Sequence, residues 1–227
     1  MPNNVKITTI FNPLNLLAPH YCRGCERIGS PFCDCCKNYI IKHHQNFCPH
    51  CKTKNANGKC TKCCSLPPTF VIEKRKHIIG RLIHDLKYNS TRALATPLAE
   101  IIHQVIPEDN SNAIIVPLPT ISRHIRARGL DHTKLIAQKL VRLRPNWQVK
   151  SLLIRQKNTV QVGADRKTRL AQAKEAYAIN SKITIYPKST YYLLDDVYTT
   201  GASLQAAIKK LQQAGVLKIK VILLAVS

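Results

Sequence analysis

Tyr191-Tyr192-Leu193-Leu194-Asp195-Asp196-Val197-Tyr198-Thr199-Thr200-Gly201-Ala202-Ser203 is the stretch that decides the fold. Tyr191 to Leu194 is a short apolar run of the kind a parallel sheet buries on both faces, and Leu204 to Ala214 carries apolar residues at helical spacing. The segment between is therefore the carboxyl end of a strand running into a helix, the place where open α/β sheets take ligands. Thr199, Thr200, Gly201, Ala202 and Ser203 offer hydroxyls and backbone N–H groups at a helix N-terminus, whose unpaired donors and dipole favour a phosphate. Gly201 lets the backbone approach without a Cβ. Asp195 and Asp196 are pure acceptors when ionised and suit the 2′ and 3′ hydroxyls of a ribose, or a Mg²⁺ ion. A plain strand-to-helix junction with Ser203 as N-cap is the bland alternative. Two adjacent carboxylates beside Thr-Thr-Gly set this one apart and point to a sugar-phosphate socket. The stretch lacks the GxxxxGK[ST] of a P-loop and the GxGxxG of a dinucleotide fold, which disfavours those ligand classes.

Upstream, the pattern continues as strands alternating with helices. Thr69 to Ile72 reads as a strand, and His77 to Tyr88 and Pro97 to Val105 as helices, the first with Ile78, Ile79, Leu82, Ile83 and Leu86 on one face. Ala113 to Val116 is a strand stopped at Pro117-Leu118-Pro119, where two prolines remove donors and shape a turn. Leu130 to Leu143 is a helix with Leu135, Ile136, Leu140 and Leu143 toward the core, and Leu152 to Ile154 is another strand. Arg155 to Ala176 is a long polar connection, a length that usually has a function or no fixed structure.

The first third is organised differently. Ten cysteines include four CxxC pairs, Cys22/Cys25, Cys33/Cys36, Cys48/Cys51 and Cys60/Cys63. Each pair grips a metal from one tight turn, and two pairs complete a tetrahedral Cys₄ zinc site. The separations suggest that the first two pairs share one ion and the last two another, although an interleaved pairing also fits. Cys35 and Cys64 are then spare, and His43, His44 and His50 are runner-up ligands. Four thiolates leave no position for water, so the sites read as structural, and an arm this poor in apolar residues draws its folding free energy from the metal. Ser65-Leu66-Pro67-Pro68 ends the module, dividing the chain into residues 1–65, a lead-in plus zinc module, and residues 66–227.

The chain has 227 residues and a net charge of +23. Residues 113 to 180 hold fourteen Lys and Arg against three acids. That clustering favours a polyanion, and nucleic acid is the commonest. Trp147, Tyr177 and Tyr198 are the aromatic candidates for stacking on bases. No apolar run is long enough to span a bilayer and the N-terminus lacks signal-peptide character, so the expectation is cytoplasmic residence without stable membrane insertion.

With these segments in hand, the opening stretch resembles the PRPP-binding loop of type I phosphoribosyltransferases. The chain as a whole resembles the ComF competence family. The resemblance rests on the ten cysteines, Val116-Pro117-Leu118-Pro119, Arg128-Gly129-Leu130-Asp131, Gln161-Val162-Gly163 with Arg166 and Arg169, and Asp195 to Ser203, in that order. It implies a type I phosphoribosyltransferase fold, a Rossmann-like parallel sheet with helices on both faces, preceded by a double Cys₄ zinc ribbon. It further implies that Mg²⁺–PRPP is bound with its ribose on Asp195 and Asp196 and its 5′-phosphate on Thr199 to Ser203. Its pyrophosphate would face the loop containing Pro117, Leu118, Thr120, Ser122 and Arg123. Arg155 to Ala176 would be a mobile catalytic loop, with Arg166, Lys167 and Arg169 neutralising the leaving pyrophosphate. The implied role is handling of single-stranded DNA during natural transformation, beside a competence helicase and recombination mediator proteins. Two other readings stand next to it: a salvage phosphoribosyltransferase that adds ribose 5-phosphate to a nucleobase, and a PRPP-sensing regulator without turnover. The family's usual RGFNQ is here Arg128-Gly129-Leu130-Asp131-His132.

Overall fold

In a computed structural model, which describes residues 20–89, 91–108, 111–156 and 176–227, the chain begins with a cysteine-rich layer holding one helix, α1 (Asp34–Lys42). Strand β1 (Thr69–Lys74) is followed by α2 (Ile78–Tyr88), a 3-10 turn (Arg92–Leu94) and α3 (Ala95–Val105). Strand β2 (Ala113–Pro117) leads through α4 (Ser122–Arg128) and α5 (His132–Leu143) to β3 (Trp147–Val149). An antiparallel pair, β4 (Leu153–Arg155) and β5 (Tyr177–Ile179), precedes β6 (Thr190–Tyr198), α6 (Ala202–Gln213) and β7 (Lys218–Val226).

The architecture is the expected α/β one. β1, β7, β6, β2 and β3 pair in that order, every neighbour parallel. Parallel central strands are covered on both faces, which is why Tyr191, Tyr192, Leu193 and Leu194 are all buried. Tyr192, Leu194, Ile222 and Leu224 face a core built with α2, α3 and α5. Tyr191, Leu193, Val221 and Leu223 face a second core with α6 and the β4–β5 pair. Burying a leucine side chain fully contributes roughly 2 kcal/mol. Leu194 in one core and Leu193 in the other thus pin the strand from both sides.

β6 runs further than its apolar letters indicate. Its pairing with β2 stops at Pro117 and Leu194, whereas its pairing with β7 continues to Tyr198 and Val226. Asp195 and Asp196 are therefore strand residues with one neighbour missing. The chain steps from β2 outward to β3, and from β6 outward the other way to β7, so the strand order reverses between β2 and β6. A crevice opens at the carboxyl ends of the two strands, the position where such sheets bind ligands.

Other expectations shift locally. The helix expected from Leu130 starts at His132, because Asp131 caps it by accepting the Lys134 N–H at 3.2 Å. Leu143 is exposed, since the core face of α5 is centred on Ile136, Ala137 and Leu140. The sequence signals gave no warning of α4 or β3. Most of the Arg155–Ala176 connection, including Gln161, Val162, Gly163, Arg166, Lys167 and Arg169, lies outside the described residues.

The cysteine layer is fastened to the sheet. Arg23 Nε meets Asp85 of α2 at 2.6 Å, and Lys37 Nζ of α1 meets Glu100 of α3 at 2.5 Å. Buried Asn46 accepts the Val71 N–H at 2.7 Å and donates to Thr69 O at 3.0 Å, while Thr69 N–H donates to Gly58 O at 2.8 Å. These bonds occupy the outer side of β1, an edge strand whose own polar groups would otherwise be open.

Candidate sugar-phosphate site and metal centres

The crevice between β2 and β6 is a hollow of about 350 Å³. The loop after β2 supplies Leu118, Pro119 and Thr120, and β6 supplies Asp195, Asp196 and Tyr198. The turn into α6 supplies Thr199, Thr200, Gly201, Ala202 and Ser203, and Arg155 enters from β4. Pro117 and Arg123 do not line it. Pro117 is buried as the last residue of β2, and Arg123 is exposed on α4, whose His124 and Arg128 reach the hollow instead.

The turn is built to bring backbone close to a ligand. Gly201 has φ +77°, and a Cβ there would stand 2.6 Å from Tyr198 Oη. Glycine is thus required twice over, by conformation and by the aromatic ring below it. Ala202 N–H donates to Thr200 Oγ1 at 3.5 Å. Gly201 offers no side chain to cap helix α6, and Ala202, Ser203 and Leu204 of its first turn line the hollow, an anion-favouring terminus.

Adjacent strand residues point to opposite faces, and this separates the two carboxylates. Asp196 turns toward the α2–α5 face, where its Oδ2 accepts a hydrogen bond from His132 Nε2 and pairs with Lys87 Nζ. Burial alone would raise the pKa of Asp196, but His132 and Lys87 outweigh it and hold the group below the usual carboxylate range. Asp195 sits on the other face, in the field of Arg155, with its Oδ1 accepting the Asp196 N–H at 2.8 Å. Its burial, and then the negative charge of Asp196, push it up to about 7. One acid is fixed by Lys87 and the His132 hydrogen bond; the other keeps free lone pairs for a ligand.

Lys87 and His132 are the site residues that sequence reasoning missed. A signal for both exists. Lys87 follows Ile79 and Ile83 at four-residue spacing on the apolar face of α2, and His132 precedes Ile136 and Leu140 at the same spacing on α5. A polar side chain at the end of a buried stripe must find a partner. Tyr88 also lines the hollow, exposed, with the Arg128 guanidinium 4.8 Å from its ring centroid. The aromatics expected to stack on bases do not: Trp147, Tyr177 and Tyr198 are buried, Trp147 against Tyr192 with centroids 4.4 Å apart. Large apolar rings are worth more in the core than at the surface. Arg144, counted in the basic cluster, is also internal, donating to His103 O at 2.8 Å and Ile106 O at 2.9 Å.

The cysteines gather as two tetrads, Cys22/Cys25/Cys33/Cys36 and Cys48/Cys51/Cys60/Cys63, with the four sulfurs of each within 4.8 Å of one another. The pairing is sequential. Cys22 and Cys33 sulfurs are 3.5 Å apart, and Cys51 and Cys60 sulfurs 3.4 Å. A tetrahedral ion with Zn–S bonds of about 2.3 Å needs sulfurs about 3.8 Å apart, so both tetrads fit zinc. Backbone N–H groups of Gly24 and Cys33 each approach Cys22 Sγ at 3.3 Å, the outer-shell bonding that favours thiolate. Cys35 and Cys64 are exposed and outside the tetrads. His44 Nδ1 lies 3.2 Å from Ile72 O, His43 packs on Tyr39, and none of His43, His44 and His50 belongs to a tetrad.

No helix among the described residues is long and apolar enough to cross a membrane. Compared with known proteins, no family model matches the chain. It is 26% identical over 210 residues to Competence protein F of Haemophilus influenzae, an alignment covering 88% of this chain and 87% of that protein. The similarity extends over nearly the whole chain and supports the ComF family resemblance.

Proposed function

We propose that this ComF-like chain binds PRPP with Mg²⁺ and acts in natural competence, handling single-stranded DNA during transformation. The observation that carries PRPP binding is the meeting of a helix N-terminus, a row of hydroxyls and a ligand-free carboxylate in one crevice at the reversal of strand order. The turn from Thr199 to Ser203 takes the 5′-phosphate. Asp195 accepts from the ribose hydroxyls. Leu118 to Thr120, with Arg128 and Arg155, face the pyrophosphate, and the family resemblance gives Arg166 and Arg169 the same role. Mg²⁺ is held mostly by the ligand's own phosphate oxygens, as this ion prefers, with Asp195 the available carboxylate. The competence role is supported by the similarity to Competence protein F, and the strand-handling role by the net charge of +23.

If turnover occurs, a nucleophile's lone pair forms the new bond at the anomeric carbon as the bond to pyrophosphate breaks, and pyrophosphate leaves with the electron pair. The protein contributes positioning and electrostatic stabilisation.

Calorimetric titration of Mg²⁺–PRPP into wild type and Asp195→Asn tests the reading. Wild type should bind and the variant should lose at least tenfold in affinity; equal affinities would remove Asp195 from the ribose site. Pyrophosphate release that depends on an added nucleobase would identify the salvage reaction instead.

A further inference from the structure

A second cavity, of about 690 Å³, lies apart from the sugar-phosphate hollow, between the cysteine layer and the carboxyl ends of β1 and β7. We propose that this groove is a binding site for single-stranded nucleic acid, a site separate from the PRPP crevice. The proposal rests on the strand-handling role and is independent of PRPP binding.

One wall is cationic. Lys74, Arg75 and Lys76 come from the end of β1, and Lys52 and Lys54 from the second metal-binding loop, all exposed. Lys54, Lys74 and Lys76 have no ion-pair partner among the described residues. The acidic side chain in the lining, Glu73, is already engaged by the Ile79 N–H at 3.1 Å and by His77 at 3.4 Å. Five cations and one carboxylate line the groove, and Lys52 and Arg75 also donate to Ser227 O at 3.3 Å and Ser227 Oγ at 3.4 Å. The excess of positive charge, carried by Lys54, Lys74 and Lys76, suits a phosphodiester chain, which supplies negative charge at regular spacing.

The same lining carries an aromatic pair. Tyr39, 61% exposed on α1, and His43, the C-cap residue that follows the helix, have ring centroids 4.5 Å apart. Cations and an exposed aromatic platform in one groove are the combination that holds single strands, whose unpaired bases stack while their phosphates are neutralised. Compact anions would leave the platform unused.

The groove also has a direction. Ser227 lines it, and the Ser227 N–H donates at 3.0 Å to the carbonyl of Tyr198, which lines the sugar-phosphate hollow. A strand leaving the groove over Ser227 therefore arrives at the crevice along the same carboxyl edge of the sheet.

The test is fluorescence anisotropy of a labelled oligothymidine with the full chain across a range of KCl. Lys54→Gln/Lys74→Gln/Lys76→Gln should weaken binding at least tenfold near 0.1 M salt and flatten the slope of log affinity against log salt by about 2, at roughly 0.7 per lost phosphate contact. Tyr39→Ala should weaken binding about tenfold with the slope unchanged. Unaltered metal content would show that these surface variants are folded. Wild-type affinity in both variants, with loss in Arg123→Gln/Arg126→Gln, would overturn the groove while leaving strand binding intact. No binding by the wild type would overturn both.

Discussion

His132 and Asp196, 64 residues apart in sequence, share a buried hydrogen bond beneath the crevice between β2 and β6, and Lys87 closes the cluster from α2. Removing one partner of a buried charge leaves the other uncompensated, at a cost of about 3–5 kcal/mol. Lys87→Met leaves His132 still bonded to Asp196, so it is expected to lower unfolding free energy by less than that in urea denaturation, about 1–3 kcal/mol. His132→Gln retains a donor and should cost clearly less than His132→Ala. Equal losses for the two His132 variants would show that the hydrogen bond contributes little.

The two acids predict opposite pH dependences. Asp196 is depressed in the folded state, so its contribution is present above the unfolded value of about 3.9 and disappears as pH falls. Asp195 is raised to about 7, so its contribution is present below about 3.9 and is lost as pH rises through about 7. Denaturation midpoints measured between pH 4 and 8 should decline less in Asp195→Asn than in wild type. Parallel curves would place Asp195 in a more solvated setting than its burial indicates.

Gly201→Ala adds a Cβ where φ is +77° and Tyr198 Oη would be 2.6 Å away. The left-handed backbone alone costs about 1–2 kcal/mol for a non-glycine residue, and the contact adds to it. Thermal melting should register the loss, and PRPP titration should show weaker binding because the turn must move to relieve the ring.

Metal analysis should find two zinc ions per chain, one for each tetrad. Cys22→Ser and Cys48→Ser should each lower the content by one. Wild-type content in either variant would contradict the assignment.

Asn46→Ala removes a side chain that satisfies both Val71 N–H and Thr69 O, and donates to Asn55 Oδ1 at 2.7 Å. Leaving buried backbone groups unpaired costs about 1–3 kcal/mol each. Chemical denaturation should show a loss of several kcal/mol, far above that of an exposed substitution such as Lys42→Ala.

What was legible in the sequence was local. The run Tyr191–Leu194, the turn at Gly201 and the CxxC spacings each depend on neighbouring residues, and they placed a central strand and the two tetrads correctly and the helix start within two residues, its N-cap being Gly201 and not Ser203. What was missed depends on packing between distant segments. Asp195 and Asp196 are identical letters side by side, yet Lys87 and His132 reach only one of them. Trp147 and Tyr177 carry no mark of burial, because nothing local reveals which strand will cover them. The charge map misled for the same reason. Residues 66 to 112 are nearly neutral in sum, yet folding gathers Lys74, Arg75 and Lys76 with Lys52 and Lys54 on one wall and sends Arg144 inside.

The bonds from Asn46 and Gly58 to β1 would give an ion held by the second tetrad a second duty. Strip the ions, and the loops that carry these groups release a flank of sheet whose hydrogen-bonding groups match those of any other chain in the same condition. Zinc starvation should thus be read out as turbidity or sedimenting species sooner than as a soluble, partly unfolded protein. Supply of the ion would govern how much of this protein stays dispersed, apart from any effect on its ligands.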